Sequence, residues 1–600
     1  MHVRLVGIAL SPTGAQILKQ LLSGAQSKES AEAVVQHALD LKATYAVVEE
    51  PYIDKDYSSD YLNFYAGAFR AYPRHTKRIH LFEQEVAPAL DKPLHEQEAE
   101  LAQAGYIGFV VLRPISQGPI GKTVLPFPVL GDGLIVRRAA RANFKAHLLG
   151  AGLELKGAAP FIQQDERLGA CAQASIWMAD RPVHERHRRT PWHSIAEITR
   201  LATTPTDAEL SRSLPAGSSG LNPIHIIRAL RGMGHQPLVD FFVGESEQAD
   251  APVQVAIADK VGAKAPQNGK GAKKKKEPVK TNGLAASSIL RYLDSGVPVI
   301  VAMTDIGADA GHAITAVGFV ESRTATAEIS DSYETFVRAL IVHDDQRGPY
   351  RLMPLRQSDI AVLPKERLLT EGDKILTVED VVTHMFVPLP MRVFLRADRA
   401  DTVCDDFLKN FVDIAGPGML ERLKEEAPDV SAVEAFFELV RTGKLIRRTY
   451  LTSAGRYRHH LAKSDLDEEV KSELITRTLP HFIWVTELIS ADAPAVEGDD
   501  ARQVLGHMVV NATSSTDPNS DLLLVHMPRM VIHRDLDCVE EADQADTSDH
   551  KDGEADKAPE VAPGTEAQMR LAPMLIPTRP FTETFITYDT SAPYQGRRRH

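Results

Sequence analysis

Cysteine is scarce in this chain, whose 600 residues include only Cys171, Cys404 and Cys538. Three cysteines over such a length cannot form a disulfide framework, and no CxxC pair indicates a metal site. No apolar run reaches the roughly 20 residues that a membrane-spanning helix needs. The apolar part of the first 16 residues is short and is interrupted at Ser11-Pro12, unlike a signal peptide. We therefore expect a protein of the reducing cytoplasm that needs no metal or other cofactor and has no membrane partner.

Basic residues are outnumbered as well. Lysine and arginine total 68 against 81 acidic residues, a formal net charge of −13, which argues against a general nucleic-acid-binding surface. A phosphate-binding loop is also missing, because Gly121-Lys122-Thr123 lacks the upstream glycine at the required spacing. The hydrophobic content of 43% is that of an ordinary globular protein, and the length suffices for about three or four domains.

The patterning divides the chain into three regions. Residues 1–150 form an α/β region of unassigned role, residues 151–355 form a central domain, and residues 356–600 form a C-terminal α+β region. The central domain contains a Lys-rich insertion at 260–283, which we expect to be a solvated loop, with an acidic partner as the alternative. The acidic, polar segment 535–567 is predicted to be disordered.

Within the first region, the spacing predicts a helix at 29–41 and strands at 43–50 and 105–112. An aromatic stripe at helical spacing runs through 57–72, and such a stripe is more typical of a core than of a binding site.

The stretch 169–178, GACAQASIWM, places a cysteine ahead of an apolar run with helical spacing. Ala174, Trp177 and Met178 fall on one face, so that face can pack on a core. Cys171 then lies near the first turn of a buried helix, where free N–H groups and the helix dipole stabilise a thiolate. The alternative is a small buried cysteine without chemistry.

Three strand patterns follow downstream, at 297–303, 311–319 and 339–343. If the second and third pair antiparallel, the start of one lies beside the end of the other. His312 begins its strand and Asp344 ends the next, so this topology brings an imidazole and a carboxylate together. A cysteine at a helix start, a histidine and an orienting acid form the arrangement of a nucleophile, a base and its orienter.

These segments, within about 158–350, resemble papain-like cysteine peptidases, closest to the bacterial family that removes double-glycine leader peptides from bacteriocins. The resemblance implies Cys171 as nucleophile, His312 as base and Asp344 as orienting acid. It also implies an α+β fold for the central domain, with the cysteine on a helix N-terminus and the other two residues on an antiparallel sheet. Two α/β regions would flank this domain.

Neighbouring residues offer alternatives for two of these roles. Asp344 is preferred over Asp345 because the family often shows Asp, three residues and then Gly, which matches Gly348. His343 is set aside because strand alternation turns it to the opposite face.

The family also places an oxyanion-hole glutamine six residues before the cysteine. That position is Asp165 here, whereas Gln163 and Gln164 stand eight and seven residues before it. We take Gln164 for this role.

The predicted function is a cysteine hydrolase that cleaves a peptide or other amide bond through a thioacyl intermediate, with a peptide or protein as substrate. Two alternatives remain: an acyltransferase or amidase acting on a non-peptide substrate, and an inactive papain-like binding module. A role in export is not supported, because the chain shows neither the membrane segments nor the ATPase loop of the exporters to which such peptidases are commonly fused.

Overall fold

The computed structural model describes residues 2–24, 28–131, 133–165, 171–187, 191–204, 221–242, 283–303, 311–323, 331–426, 430–463, 468–491, 504–514, 521–533 and 568–571. Most of the predicted Lys-rich insertion and the whole of 535–567 lie outside these residues. Within them, no helix is both long enough and apolar enough to cross a membrane.

The helices follow the apolar periodicity of the sequence. Their bounds are α1 Pro12–Leu22, α2 Lys28–Asp40, α3 Lys55–Asn63, α4 Ala87–Leu90, α5 Leu94–Gln103, α6 Cys171–His187, α7 Ile195–Thr203, α8 Pro223–Gly232, α9 Ala285–Asp294, α10 Val378–Val381, α11 Ala397–Asn410, α12 Gly416–Glu426, α13 Ser431–Arg441, α14 Ala454–Lys463 and α15 Glu468–Thr476. Side-chain caps start several of them, as Ser194 and Asn222 do for α7 and α8.

The strands are β1 Arg4–Ala9, β2 Tyr45–Tyr52, β3 Thr76–Phe82, β4 Tyr106–Leu112, β5 Ile120–Pro126, β6 Leu134–Arg137, β7 Ala142–Leu148, β8 Ala151–Phe161, β9 Gln236–Phe241, β10 Val299–Met303, β11 His312–Ser322, β12 Val337–Asp344, β13 Gly348–Pro354, β14 Thr370–Glu371, β15 Lys374–Ile375, β16 Val382–Leu389, β17 Leu445–Ser453, β18 Phe482–Ser490, β19 Val504–Asn511, β20 Leu522–Met527, β21 Met530–His533 and β22 Gln568–Leu571. The helix predicted at 29–41 and the strands predicted at 43–50 and 105–112 are confirmed as α2, β2 and β4.

Three large antiparallel sheets organise the chain. The first has the order β1-β2-β3-β4-β5-β8-β7, the second β13-β12-β11-β10-β16-β9 with β6 beside β11, and the third β17-β18-β19-β20-β21-β22. The described chain is therefore α+β with antiparallel sheets.

The aromatic stripe at 57–72 does not form one helix, which corrects the helical spacing read from the sequence. Helix α3 ends at Asn63, and Phe64 leaves the helical conformation. Tyr65 instead packs against the rings of Tyr57 and Tyr72. Contacts among these aromatic side chains override the local periodicity, and they form a small buried cluster.

Hydrophobic packing crosses the region boundaries proposed from the sequence. One core joins Val34 of α2, Trp177 of α6 and Val317 of β11. A second joins Val301 of β10 to Trp484 of β18. The first sheet also continues past residue 150 through β8. The division into three regions stays a prediction, but the described regions share their cores.

Candidate functional site

Two hydrogen bonds join helix α6 to the start of β11, at a position on the helix one turn after Cys171. The Ser175 hydroxyl donates to Ala313 O at 2.9 Å, and the Thr315 hydroxyl donates to Ser175 O at 3.0 Å. Cys171 is the first residue of the helix, and His312 directly precedes Ala313. These two bonds therefore bring the cysteine beside the histidine.

The apolar face of α6 explains why the helix lies there. Ala174, Trp177 and Met178 are all buried, as their spacing predicts. Cys171 lies at the rim of the same core and is half-buried.

Strands β11 and β12 form the predicted antiparallel pair, with Thr315 opposite His343. The start of β11 therefore lies beside the end of β12, which places His312 next to Asp344. The following turn returns the chain at Gly348, which pairs with Asp344 in the β12–β13 ladder.

His312 stands between the thiol and the carboxylate. Its Nε2 is 3.2 Å from Asp344 Oδ1, and its side chain is hydrogen-bonded to Cys171. Because Nε2 faces the carboxylate, Nδ1 is the nitrogen that can meet the thiol. The Nε2–H is not well aligned with any acceptor among the described residues, so the histidine–aspartate contact is a close ion pair. Such contacts commonly tighten when substrate binds.

The carboxylate of Asp344 is fully buried and held at both oxygens. Its Oδ1 accepts hydrogen bonds from the backbone N–H groups of Gln346 and Arg347, at 2.9 and 3.1 Å. Its Oδ2 accepts from Arg347 Nη1 at 2.8 Å. Burial alone would raise the pKa of Asp344, but the charge of His312 and the charge and hydrogen bond of Arg347 hold it well below its usual range. The group is therefore ionised.

The same environment favours the charged imidazole. Burial alone would lower the pKa of His312, but the charge of Asp344 and the contacts with Asp344 and Cys171 raise it well above its usual value. A histidine of raised pKa beside a cysteine suits a thiolate–imidazolium pair.

Asp345 forms a second acidic group at the site. Its Oδ1 is 3.8 Å from His312 Nε2, yet its side chain is fully buried and receives no well-aligned hydrogen bond from the described residues. Burial raises the pKa of Asp345, although the charge of His312 opposes this. We infer that Asp345 is the neutral acid of the two, which the sequence spacing could not reveal.

His312, Asp344 and Asp345 each place one donor atom within 4.8 Å of the others, a spacing that a metal ion could bridge. Both oxygens of Asp344 are already used, however, and the Arg347 guanidinium beside them opposes another cation. This donor set therefore fits a metal ion poorly.

The residues considered for the oxyanion hole lie on the segment before α6. Gln163 is committed elsewhere, since its Oε1 accepts from Ile120 N at 3.1 Å. Gln164 is half-buried on the same segment and Asp165 is buried. Residues 166–170, which connect them to Cys171, lie outside the described part of the chain, so the role of Gln164 stays a prediction.

His343, the other histidine near the acid, faces away from the site. Its Nδ1 is 3.2 Å from Pro160 O, and its ring packs edge-on against Tyr350. Burial lowers its pKa to about 3, so it is neutral at ordinary pH. This is the opposite-face position that strand alternation predicts.

Comparison of the chain with protein-family models, with curated proteins and with solved structures found no match.

Proposed function

We propose that the chain is a papain-like cysteine hydrolase that cleaves a peptide or other amide bond. The observation that carries this proposal is the contact series from Cys171 through His312 to Asp344, at the junction of a helix start and an antiparallel sheet. The buried, ionised Asp344 and the raised pKa of His312 supply the electrostatics that a thiolate needs. A free thiol of this kind suits a reducing compartment such as the cytoplasm.

In the first half-reaction, His312 takes the proton of Cys171 and the sulfur attacks the substrate carbonyl carbon. The Cys171 backbone N–H and the Gln164 carboxamide donate to the oxyanion, and losing one such donor typically costs about 10²–10³ in rate. The C–N bond then breaks, and His312 gives its proton to the departing amine. Asp344 keeps its charge throughout and orients the imidazole.

In the second half-reaction, His312 takes a proton from water, which attacks the thioester carbonyl. The carbon–sulfur bond breaks, a carboxylic acid leaves, and the cysteine regains its proton from His312. If an amine instead of water attacks the thioester, the protein is an acyltransferase. If the substrate of the first half-reaction is a non-peptide amide, the protein is an amidase.

The test is alkylation of the full-length protein with iodoacetamide from pH 5 to 9, read by mass spectrometry, with a free thiol as rate reference. We expect Cys171 to label much faster than the reference below pH 7 and to lose this advantage in His312→Ala. Cys404 serves as an internal marker of folding, because it is fully buried and its pKa is raised to about 12 by burial.

Equal labelling of wild type and His312→Ala at every pH would contradict the proposal and favour an inactive binding module. Where Cys171 proves activated, a panel of acylated peptides and amides with water or added amines as acceptors separates hydrolase from transferase.

A further inference from the structure

Helix α2, which belongs to the N-terminal region, packs directly against the turn that follows Asp344. The Ser30 hydroxyl lies 2.5 Å from Gln346 O and 3.4 Å from Asp345 O. Ser30 has no exposed surface, so this hydroxyl has no competing water. More than 300 residues of sequence separate the helix from the turn.

The two carbonyls that Ser30 approaches belong to the same peptide groups that bind the orienting acid. The peptide between Asp345 and Gln346 presents its C=O to Ser30 and its N–H to Asp344 Oδ1. The peptide between Gln346 and Arg347 does the same. Hydrogen bonds arranged in series polarise one another, so the hydroxyl strengthens the N–H donors on the far side.

Close approach of the helix depends on a glycine in the turn. A Cβ on Gly348 would lie 2.5 Å from the Cβ of Ala33, and its φ of +106° is one that other residues rarely adopt. Glu29, at the start of the same helix, interacts electrostatically with Arg347, which in turn binds Asp344 Oδ2. Helix α2 therefore supports the donors to both oxygens of Asp344.

We propose that Ser30 is a positioning residue of the active site, which acts through the Asp345–Gln346 and Gln346–Arg347 peptides to hold Asp344 against His312. This inference rests on the proposed function and gives the N-terminal region a role in it: α2 completes the site. Ser30 itself touches no reacting atom.

The test compares the pH profile of Cys171 alkylation in the full-length wild type and Ser30→Ala. When Asp344 is held less firmly, the imidazolium is less stable and the thiolate forms only at higher pH. We expect labelling at pH 5.5 to fall about fivefold, the change in equilibrium typical of one hydrogen bond, with no change at pH 9. The imidazole pKa of His312, measured by NMR with labelled histidine, is expected to fall in parallel.

Ser295→Ala is the matched control. Ser295 is also fully buried, and its hydroxyl donates to the backbone carbonyl of Arg291 at 2.6 Å. It precedes the first residue of β10, whereas His312 lies beside the last residue of that strand, so Ser295 is remote from the site. Its removal should lower thermal stability without moving the acid limb of the labelling profile, which is the low-pH range over which the labelling rate of Cys171 rises. Cys404 must stay unlabelled in every variant, which verifies folding.

Ala33→Val provides a second variant that keeps the hydroxyl. The larger side chain pushes α2 away from Gly348, so the acid limb should again move to higher pH. An activated wild type whose acid limb is unchanged in both Ser30→Ala and Ala33→Val overturns this inference alone. A wild type whose Cys171 labels no faster than a free thiol overturns the proposed function and this inference together.

Discussion

At the scale of single residues, the site depends on two adjacent carboxyl groups that differ in protonation. Asp344 accepts hydrogen bonds from the Arg347 side chain and from two backbone N–H groups, whereas Asp345 accepts no well-aligned hydrogen bond from the described residues. Both lie within 4 Å of His312 Nε2. Because a buried carboxylate without donors is costly, the pKa of Asp345 is raised to about 7, so below that pH the proton is on Asp345 and the negative charge is on Asp344.

This difference predicts opposite results for two isosteric substitutions. Asp344→Asn removes the charge that raises the His312 pKa and should slow Cys171 alkylation at pH 6 by about tenfold or more. Asp345→Asn replaces an acid that is neutral at pH 6 and should change the rate at that pH by less than about twofold. Alkylation kinetics from pH 5 to 9 measure both.

The pH dependence has a definite sign. The imidazolium of His312 is present below its raised pKa and is lost as pH rises through that value, so the advantage of Cys171 over a free thiol is largest at low pH. If Asp345→Asn removed that advantage and Asp344→Asn kept it, Asp345 would be the orienting acid.

At the scale of elements, the β12–β13 turn is the part of the site most constrained by its neighbours. Gly348→Ala places a methyl group against Ala33 at a positive φ, and we expect a loss of about 2–4 kcal/mol in the free energy of unfolding. Denaturant unfolding measures it. Gly443→Ala is the control, because Gly443 also has a positive φ but open space around its Cβ position. Equal losses in the two variants would show that the helix does not press on the turn.

In the third sheet, His507 and His526 face each other across β19 and β20 and share a hydrogen bond of 3.2 Å. Burial lowers the pKa of both, to about 4 for His526. Their folded-state pKa values lie below the unfolded value of about 6.5, so stability is complete above that pH and falls as pH decreases towards the folded value.

We therefore expect His526→Phe to reduce the loss of stability between pH 7 and 5 by about 2 kcal/mol. The measurement is the midpoint of urea unfolding at several pH values. The prediction concerns the slope of stability against pH and not the absolute stability of the variant. An unchanged slope would show that this pair does not titrate during unfolding.

At the scale of the whole molecule, the N-terminal region and the central domain are bound together by more than one core contact. Asp56 of α3 accepts hydrogen bonds from Trp177 and Arg181 of α6, at 2.9 and 2.5 Å. All three side chains are buried. The middle of the helix that begins with Cys171 is thus held by the N-terminal region, and its first turns are held by β11.

Deleting residues 1–150 should therefore prevent folding of the central domain rather than release a folded fragment with an activated Cys171. The deletion exposes the apolar face shared with α2 and leaves Arg181 buried without Asp56, a defect that typically costs about 3–5 kcal/mol. Circular dichroism and Cys171 alkylation of the 151–600 fragment test this. A folded fragment with an activated Cys171 would mean that the N-terminal region is an independent domain.

Local sequence patterns were sufficient to predict most of the helices and strands that hold the candidate site. The apolar spacing after Cys171 predicted a buried helix, and three strand patterns predicted strands that would place His312 near Asp344 if two of them paired antiparallel. These predictions succeed because helix and strand periodicities depend only on which side chains recur on one face. At 57–72 the helical spacing was wrong beyond Asn63, whereas the interpretation as core is confirmed for Tyr57 and Tyr65, which are buried.

The sequence by itself determined the order of cysteine, histidine and acid and the elements that hold them. Only the tertiary structure decided which acid is ionised. The folded turn directs hydrogen-bond donors to Asp344, whereas Asp345 receives no well-aligned hydrogen bond from the described residues. The contact of Ser30 with that turn was likewise beyond the sequence. It joins segments more than 300 residues apart, and a hydrogen bond over such a separation leaves no periodic trace in the chain.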